Sequence, residues 1–336
     1  MQLTYSFIIP VYNRPDEVEE LLLSFKNLKT NILFEIVIIE DGSNIMCKNI
    51  VEKYTRELNI KYVFKQNTGP GDSRNYGMSI AMGNYFIILD SDCILPPNYL
   101  NIVDKNLSTN YVDCFGGPDA AHDSFSYIQK AINFSMTSIL TTGGIRGSKS
   151  SIGKFQPRSF NMGISKKAFL KTGGFGQIHP GEDPDLSIRL WKNGFETRLI
   201  NEAFVYHKRR ISWAKFYKQV NKFGLVRPIL NKWHPETSKL TYWFPFVFML
   251  GFASSIALLL FGMKWPIYLY LIYFLVLFIL ALKSSKNIIV STLSIFAVGI
   301  QFLGYGTGFV KSIFVINVLK KDPEQYFPEL FFKKHV

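Results

Sequence analysis

The sequence predicts an α/β amino-terminal part, a mostly parallel sheet with flanking helices, followed by carboxyl-terminal helices suited to lipid. Two observations carry this. Up to about Gly117, short β-branched runs alternate with helical patterns, the mark of βαβ units. Beyond Trp243 come long uncharged runs, each near the roughly 20 residues that a bilayer crossing needs.

The strands come first. Phe7–Ile9, Ile36–Ile39, Tyr62–Phe64 and Tyr85–Leu89 are apolar throughout rather than alternating, as central strands covered on both faces require. In an open α/β sheet, ligands sit outside the carboxyl ends of the strands. Asn13, Asp41 and Asp90–Asp92 are therefore expected to converge on one crevice. Between about Asp119 and Lys154 the pattern weakens: an amphipathic helix is expected over Ser124–Leu140, and the Gly/Ser/Lys-rich Gly143–Gly153 reads as a mobile loop. Compact α/β character returns from Phe160 to His207, with a strand at Ala203–Tyr206 and a helix near Pro184 carrying Leu186, Ile188, Leu190 and Trp191.

Trp213–Val226 places Trp213, Phe216, Tyr217, Val220, Phe223 and Gly224 near one helix face, with Lys215, Lys218, Lys222 and Arg227 elsewhere. That pattern suits a helix lying in a membrane interface, or an ordinary amphipathic surface helix. Phe244–Met263 and Trp265–Leu282 each have the length of a span, and Ile288–Ile316 is longer than one span needs. Their aromatic ends, and the absence of charge inside the first two, favour lipid over a buried helix pair. With the amino-terminal part inside, Lys264 falls on the outer turn and Lys283–Lys286 returns inside, as the positive-inside tendency prefers. Three crossings would leave Lys320, Lys321, Lys333 and Lys334 outside, so the Gly-rich Gly299–Gly308 is expected to break the third segment into a re-entrant or tilted element.

A net charge of +13 suits an anionic partner: nucleic acid, a phospholipid surface or a phosphorylated substrate. Aromatics concentrated in the apolar runs point to lipid, and an acidic crevice does not fit nucleic acid. Cys47, Cys93 and Cys114 have neither zinc spacing nor a disulfide framework, which fits a reducing compartment. No basic segment, apolar stretch and cleavage site precede Tyr5–Val11, so the amino-terminal part is expected in the cytoplasm.

Chemistry concentrates in three places. Asp90-Ser91-Asp92 follows an apolar strand directly, and two carboxylates at that spacing can hold Mg²⁺ or Mn²⁺ against a diphosphate, or simply cap the turn at Pro96-Pro97. Asn67–Gly77 is a glycine-rich turn leading into a helix, where backbone N–H groups near Gly69 and the Arg74 guanidinium could meet phosphate. Glu182, Asp183 and Asp185 open a helix at Pro184, either for chemistry or because acids favour a helix start.

The order Pro10-Val-Tyr-Asn-Arg14, Glu40-Asp41-Gly-Ser43, Asn67–Gly77, Asp90-Ser91-Asp92 and Gly181-Glu182-Asp183 resembles glycosyltransferase family 2, with a GT-A fold, over roughly residues 1–210. The apolar tail is similar to that of bacterial exopolysaccharide and lipid-linked oligosaccharide transferases. The resemblance implies that Pro10 and Tyr12 line a nucleotide pocket beside Asn13 and Arg14, that Asp41 meets the base or ribose edge, and that Gly69 and Arg74 lie nearby. Asp90 and Ser91 would sit on the ribose or sugar side, and Asp92 would be the main ligand of Mg²⁺ or Mn²⁺, with Asp90 and His207 able to complete the shell. Inverting transfer needs a carboxylate to take the acceptor proton, and Asp183, beside Glu182, is expected to be that base.

The implied donor is a UDP- or GDP-sugar and the implied acceptor a membrane lipid-linked saccharide, at a bacterial inner (cytoplasmic) membrane with the catalytic domain cytoplasmic. The expected organisation is a catalytic domain over 1–210, an interfacial helix and linker over 211–240, transmembrane segments over 241–318 and a basic tail over 319–336. Processive members carry Gln-x-x-Arg-Trp, where this chain has Gln219-Val-Asn-Lys222-Phe223, so addition of one or a few sugars is expected. Two other readings are a polyprenyl phosphate acceptor and a catalytically silent membrane scaffold. Clustered carboxylates at mutual electrostatic cost argue against the scaffold.

Overall fold

The computed structural model describes residues 2–120, 125–142, 154–207 and 212–332. Among these, 2–120, 154–207 and 331–332 form one compact unit, and 125–142 and 212–330 form another. The expected loop at Gly143–Gly153 and the basic run Lys208–Arg210 lie outside the described residues.

The elements, in chain order, are β1 (Tyr5–Val11), α1 (Pro15–Lys26), β2 (Phe34–Asp41), α2 (Lys48–Tyr54), β3 (Ile60–Lys65), α3 (Pro70–Ile80), β4 (Tyr85–Leu89), β5 (Cys93–Ile94), α4 (Tyr99–Thr109), β6 (Cys114–Gly116) and β7 (Asp119–Ala120). Then come α5 (Tyr127–Thr137), α6 (Ile139–Thr142), β8 (Asn161–Ser165), α7 (Lys166–Thr172), α8 (Glu182–Lys192), β9 (Thr197–Leu199) and β10 (Val205–His207). The last helices are α9 (Trp213–Trp233), α10 (Phe244–Leu259), α11 (Trp265–Ser285) and α12 (Ile288–Ile313).

The main sheet of the first unit runs β3-β2-β1-β4-β8-β6-β9. The first four strands are parallel, β8 is antiparallel to both neighbours, and β9 is parallel to β6. Alternate side chains of the central strands feed two cores. Phe7, Ile9, Ile36, Ile38 and Ile87 pack with Leu21 and Phe25 of α1 and Tyr99 and Leu100 of α4. Ile8, Val37, Ile39, Phe86 and Ile88 pack with Met78 of α3 and Leu186 and Leu190 of α8. Each such fully buried side chain is worth about 1.5–3 kcal/mol relative to exposure. Burial on both faces is why these strands read as continuous apolar runs. A second, small sheet has the order β5-β10-β7 and sets His207 opposite Cys93.

In the second unit, α5 joins α9 and α12 rather than the sheet. Its Ile132 and Met136 find apolar partners in Phe216, Val220 and Ala297, which explains why an amphipathic stretch early in the chain packs with the late helices. The Gly299–Gly308 stretch does not break its helix: α12 runs unbroken from Ile288 to Ile313. Its glycines are a packing surface. A Cβ at Gly304 would come within 2.6 Å of Val220, one at Gly308 within 2.3 Å of the Asn221 carbonyl, and one at Gly224 within 2.1 Å of the Tyr305 carbonyl. Small residues four apart let two helix backbones approach closely in an apolar setting. The Asn221 amide also donates to the Gly304 carbonyl at 3.0 Å.

Three helices among the described residues are long and apolar enough to cross a membrane: Leu240–Leu259, Trp265–Ser285 and Ile288–Val318. On α10 and α11, large side chains such as Leu250, Leu269, Ile272 and Leu275 are more than half exposed, a surface that lipid rather than water accommodates.

Candidate active site

The carboxyl ends of β1, β2 and β4 carry Tyr12–Arg14, Asp41 and Asp90. Asn13 takes a positive φ of 54°, a conformation that Asn tolerates better than most residues. From there its carboxamide accepts from the backbone N–H groups of Asn44 and Ile45 at 2.8 and 3.0 Å, and its own N–H donates to Ser43 Oγ at 2.8 Å. Asn13 thus ties the loop after β1 to the loop after β2. Ser43 in turn donates to Glu40, which also accepts from the Cys47 N–H.

Asp41 is 3% exposed, and its carboxylate accepts from the backbone N–H groups of Thr68 and Gly69, both at 2.9 Å, and from Lys65 at 2.6 Å. The carboxylate expected at the nucleotide edge therefore also builds the turn leading into α3. Pro10 is the penultimate residue of β1, and Tyr12 is half exposed at the crevice.

That turn aims Arg74. A Cβ at Gly77 would come within 2.6 Å of Ile8, so α3 lies directly on the sheet. Arg74 is 3% exposed and donates to Asp90 at 2.8 Å and to Glu182 at 3.2 Å, with the Phe175 ring 5.2 Å from its guanidinium. Arg74, expected near phosphate, joins the two acidic motifs.

Asp92 meets both a guanidinium and an imidazole. One carboxylate oxygen is 3.2 Å from Arg14, the other 3.2 Å from His207 Nε2. The small sheet makes this possible, because β10 returns antiparallel beside β5 and brings His207 next to the residue after Asp92. The imidazole stacks on Phe160 at 4.8 Å, with Asp119 3.9 Å from Nδ1. Ligand atoms of Asp92, Cys93 and His207 all lie within 4.8 Å of one another. Ser91 is buried between the two aspartates.

Glu182 and Asp183 open α8 after Gly181. Burial opposes the charge on Glu182, but His179 and Arg74 outweigh it and hold this carboxyl down at about 2. Asp183 goes the other way: burial and the adjacent Glu182 charge push it up to about 6, against the favourable fields of Arg74 and Arg158. Its Oδ1 is buried without a hydrogen-bond partner among the described residues. Two adjacent acids are thus driven apart, one fixed as an anion and one poised to exchange a proton near neutral pH.

Several participants carried no readable signal. His179, whose Nδ1 is 2.8 Å from Glu182, was one lone histidine among five in the sequence. Arg158 bears on Asp183, and Asp119 on His207, through the fold rather than through sequence proximity. Asn75 was legible inside the Asn67–Gly77 motif, but not its task of gripping both the N–H and the carbonyl of Phe175, at 2.8 and 2.9 Å.

A mostly parallel sheet with an Asp-x-Asp pair at the end of a central strand and a second acidic pair at a helix start defines a glycosyltransferase of the GT-A class. Within that class the chain belongs to glycosyl transferase family 2, whose sequence profile matches residues 6–171. A Haemophilus influenzae glycosyltransferase is 28% identical over 220 residues, covering 62% of this chain and 70% of that protein. The Escherichia coli chondroitin synthase is 27% identical over 240 residues, covering 60% of this chain but only 34% of the synthase. A Campylobacter jejuni GalNAc(5)-diNAcBac-PP-undecaprenol beta-1,3-glucosyltransferase is 26% identical over 206 residues, 59% of this chain and 62% of that enzyme. Among solved structures, a mannosyltransferase from Pyrobaculum calidifontis in complex with GDP-Man and Mn²⁺ shares the fold. It has a TM-score of 0.62 at 14% identity, over 96% of this chain and 89% of that one.

Proposed function

We propose that this glycosyltransferase moves one sugar, with inversion, from a UDP- or GDP-sugar to a lipid-linked saccharide at a membrane. The observation that carries the reading is Asp183: a buried carboxylate oxygen without a hydrogen-bond partner among the described residues, poised to take a proton, one residue from the Glu182–Arg74–Asp90 bridge to the Asp-x-Asp motif. The undecaprenol in the Campylobacter relative's name and the apolar helices support the acceptor class. The GDP-Man and Mn²⁺ bound to the mannosyltransferase support the donor class and the metal.

Carboxylate oxygens and one imidazole are a donor set that Mn²⁺ or Mg²⁺ accepts, and Asp92 Oδ1 and His207 Nε2 already converge at 3.2 Å. Asp92 and His207 would hold the cation, with Asp90 beside them. When bound, the ion neutralises charge on the departing diphosphate. Tyr12, half exposed, would cover the base, and the Asp41-braced turn at Thr68–Gly69 would wall the nucleotide pocket. Asp183 takes the acceptor hydroxyl proton as that oxygen displaces the nucleoside diphosphate from the anomeric carbon. Glu182, fixed as an anion by Arg74 and His179, keeps Asp183 a strong enough base for the step.

The membrane reading is specific. Residues 154–207 and Phe331–Phe332 belong to one compact unit, so the stretch between them is read as leaving and returning to one side of the bilayer. An odd number of crossings is incompatible with that. The α10–α11 pair is read as the spanning hairpin, with α12, partly covered by α9 and α5, not crossing completely. Lys264 then lies on the far side, and Lys283, Lys286, Lys320 and Lys321 on the catalytic side, which the positive-inside rule makes cytoplasmic.

Calorimetric titration of UDP and GDP into detergent-purified protein, with and without Mn²⁺, tests the donor and metal together. Metal-dependent binding of one nucleotide, lost in Asp92→Ala, is expected. Absence of binding by either nucleotide in the wild type would refute the reading in favour of a silent scaffold.

A further inference from the structure

Phe331 and Phe332 follow the last apolar helix in sequence, yet they belong to the same compact unit as Glu182 and Asp183. Phe331 forms an antiparallel bridge with Ile178, and the Phe332 N–H donates to the Gln177 carbonyl at 3.1 Å. The Phe332 ring lies 5.9 Å from the His179 ring. It also sits so close to Gly69 that a Cβ there would come within 2.2 Å of it.

These contacts fall on the segment that leads into the acidic pair. Its first half is already held: Asn75 grips Phe175, and Arg189 donates to the carbonyls of Thr172 and Gly174, each at 2.7 Å. The second half, Gln177–His179, is held by Phe331 and Phe332. The cavity left among Thr68, Asp72, Asn75, Gln177, His179 and Phe332 is about 40 Å³, room for a few waters and far too little for a sugar ring. Phe332 is therefore packed into the segment rather than stretched over an open subsite.

We propose that the Phe331–Phe332 strap is a positioning element for the transfer step: it fastens Gln177–His179 and, through the 2.8 Å contact of His179 Nδ1 with Glu182, fixes the Glu182–Asp183 pair. The effect on turnover rests on reading Asp183 as the base. The effect on the segment does not.

Two variants of the full-length protein in detergent separate these, deletion of Phe331–Val336 and Phe332→Ala, the second covering the case that the deletion fails to fold. Amide hydrogen exchange of the peptide over 175–183 is measured alongside steady-state kinetics. Faster exchange of that peptide is expected, and of the Thr68–Gly69 turn that Phe332 also abuts, with kcat lowered roughly ten- to hundredfold, the scale of a displaced catalytic group, and a smaller rise in donor KM. Unchanged exchange would overturn the strap. So would faster exchange with unchanged kcat, or a rise in kcat, which would mark the strap as a brake. Retained turnover in Asp183→Asn would instead overturn the base assignment while leaving the exchange result standing.

Discussion

Arg74→Met tests whether one buried cation holds both acidic motifs together. The guanidinium donates to Asp90 at 2.8 Å and to Glu182 at 3.2 Å, while Arg74 itself is 3% exposed. The Glu182 carboxyl stands at about 2 instead of 4.5, so its pairing stabilises the fold above pH 4.5 and that contribution is lost as pH falls toward 2. A depression of that size corresponds to roughly 3 kcal/mol, shared between His179 and Arg74. Removing one partner of a buried pair costs more than its share, about 3–5 kcal/mol, because the remaining charge is stranded. Asp90, with a third of its side chain exposed, is screened by water and adds little. For a unit of this size the loss lowers Tm by roughly 6–20 °C. Thermal unfolding of detergent-purified protein, followed by tryptophan fluorescence at pH 7.5, measures it. The gap from wild type should narrow below pH 4.5, where Glu182 loses its charge in the unfolded chain and then in the fold. Adding Glu182→Gln to Arg74→Met should recover part of the loss, with a coupling of about 0.5–3 kcal/mol. A Tm shift below about 3 °C, or losses that simply add, would refute the bridge.

Three other outcomes are expected. Asp183→Asn should bind nucleotide and Mn²⁺ like wild type while losing turnover, whereas Asp92→Ala should lose metal-dependent binding; equal loss of binding in both would remove the division of roles. A cysteine at Lys264 should react with a membrane-impermeant maleimide from outside intact cells, and a carboxyl-terminal cysteine only after lysis; labelling of both from outside would contradict an even number of crossings. Gly308→Leu should drive α9 from α12, because a Cβ there already meets the Asn221 carbonyl at 2.3 Å, and cost about 1–3 kcal/mol of stability; an unchanged Tm would mean that the glycines are not an interface.

The parallel sheet was legible because strands buried on both faces leave unbroken apolar runs, as in Tyr85–Leu89. The acidic motifs were legible because they follow those runs directly. What closes the site was legible only in part. Ala203–Tyr206 reads as a strand and the resemblance sets His207 with Asp92, but β5 and β7 are two residues each, too short for any periodicity, and nothing in the sequence brings Asp119 to His207. Arg74 reads as a phosphate contact because an arginine after a glycine turn is suited to anions. Its carboxylate partners lie 16 and 108 residues away, and only the fold pairs them. Gly299–Gly308 reads as a break because three crossings would leave Lys320, Lys321, Lys333 and Lys334 outside. Between apolar helices the missing side chain is what permits contact.

The acidic pair at α8 sets stability against turnover. Asp183 stands at about 6, above its ordinary 3.8, so the fold binds a proton there that the unfolded chain releases. A raised carboxyl contributes stability below pH 3.8 and loses it as pH rises through 6, which leaves an ionisation cost at neutral pH of up to roughly 3 kcal/mol. Asp183→Asn abolishes that cost, so its Tm at pH 7.5 should rise by a few degrees as kcat collapses. The same ionisation sets the rate: at saturating donor and metal, kcat should climb with unit slope up to about pH 6 and flatten above it. A stabilised, inactive Asp183→Asn together with that ascending limb is the signature of a base kept strained by Glu182. A rate that is flat from pH 5 to 8, with an Asn variant no more stable than wild type, would mean that the pair only caps its helix.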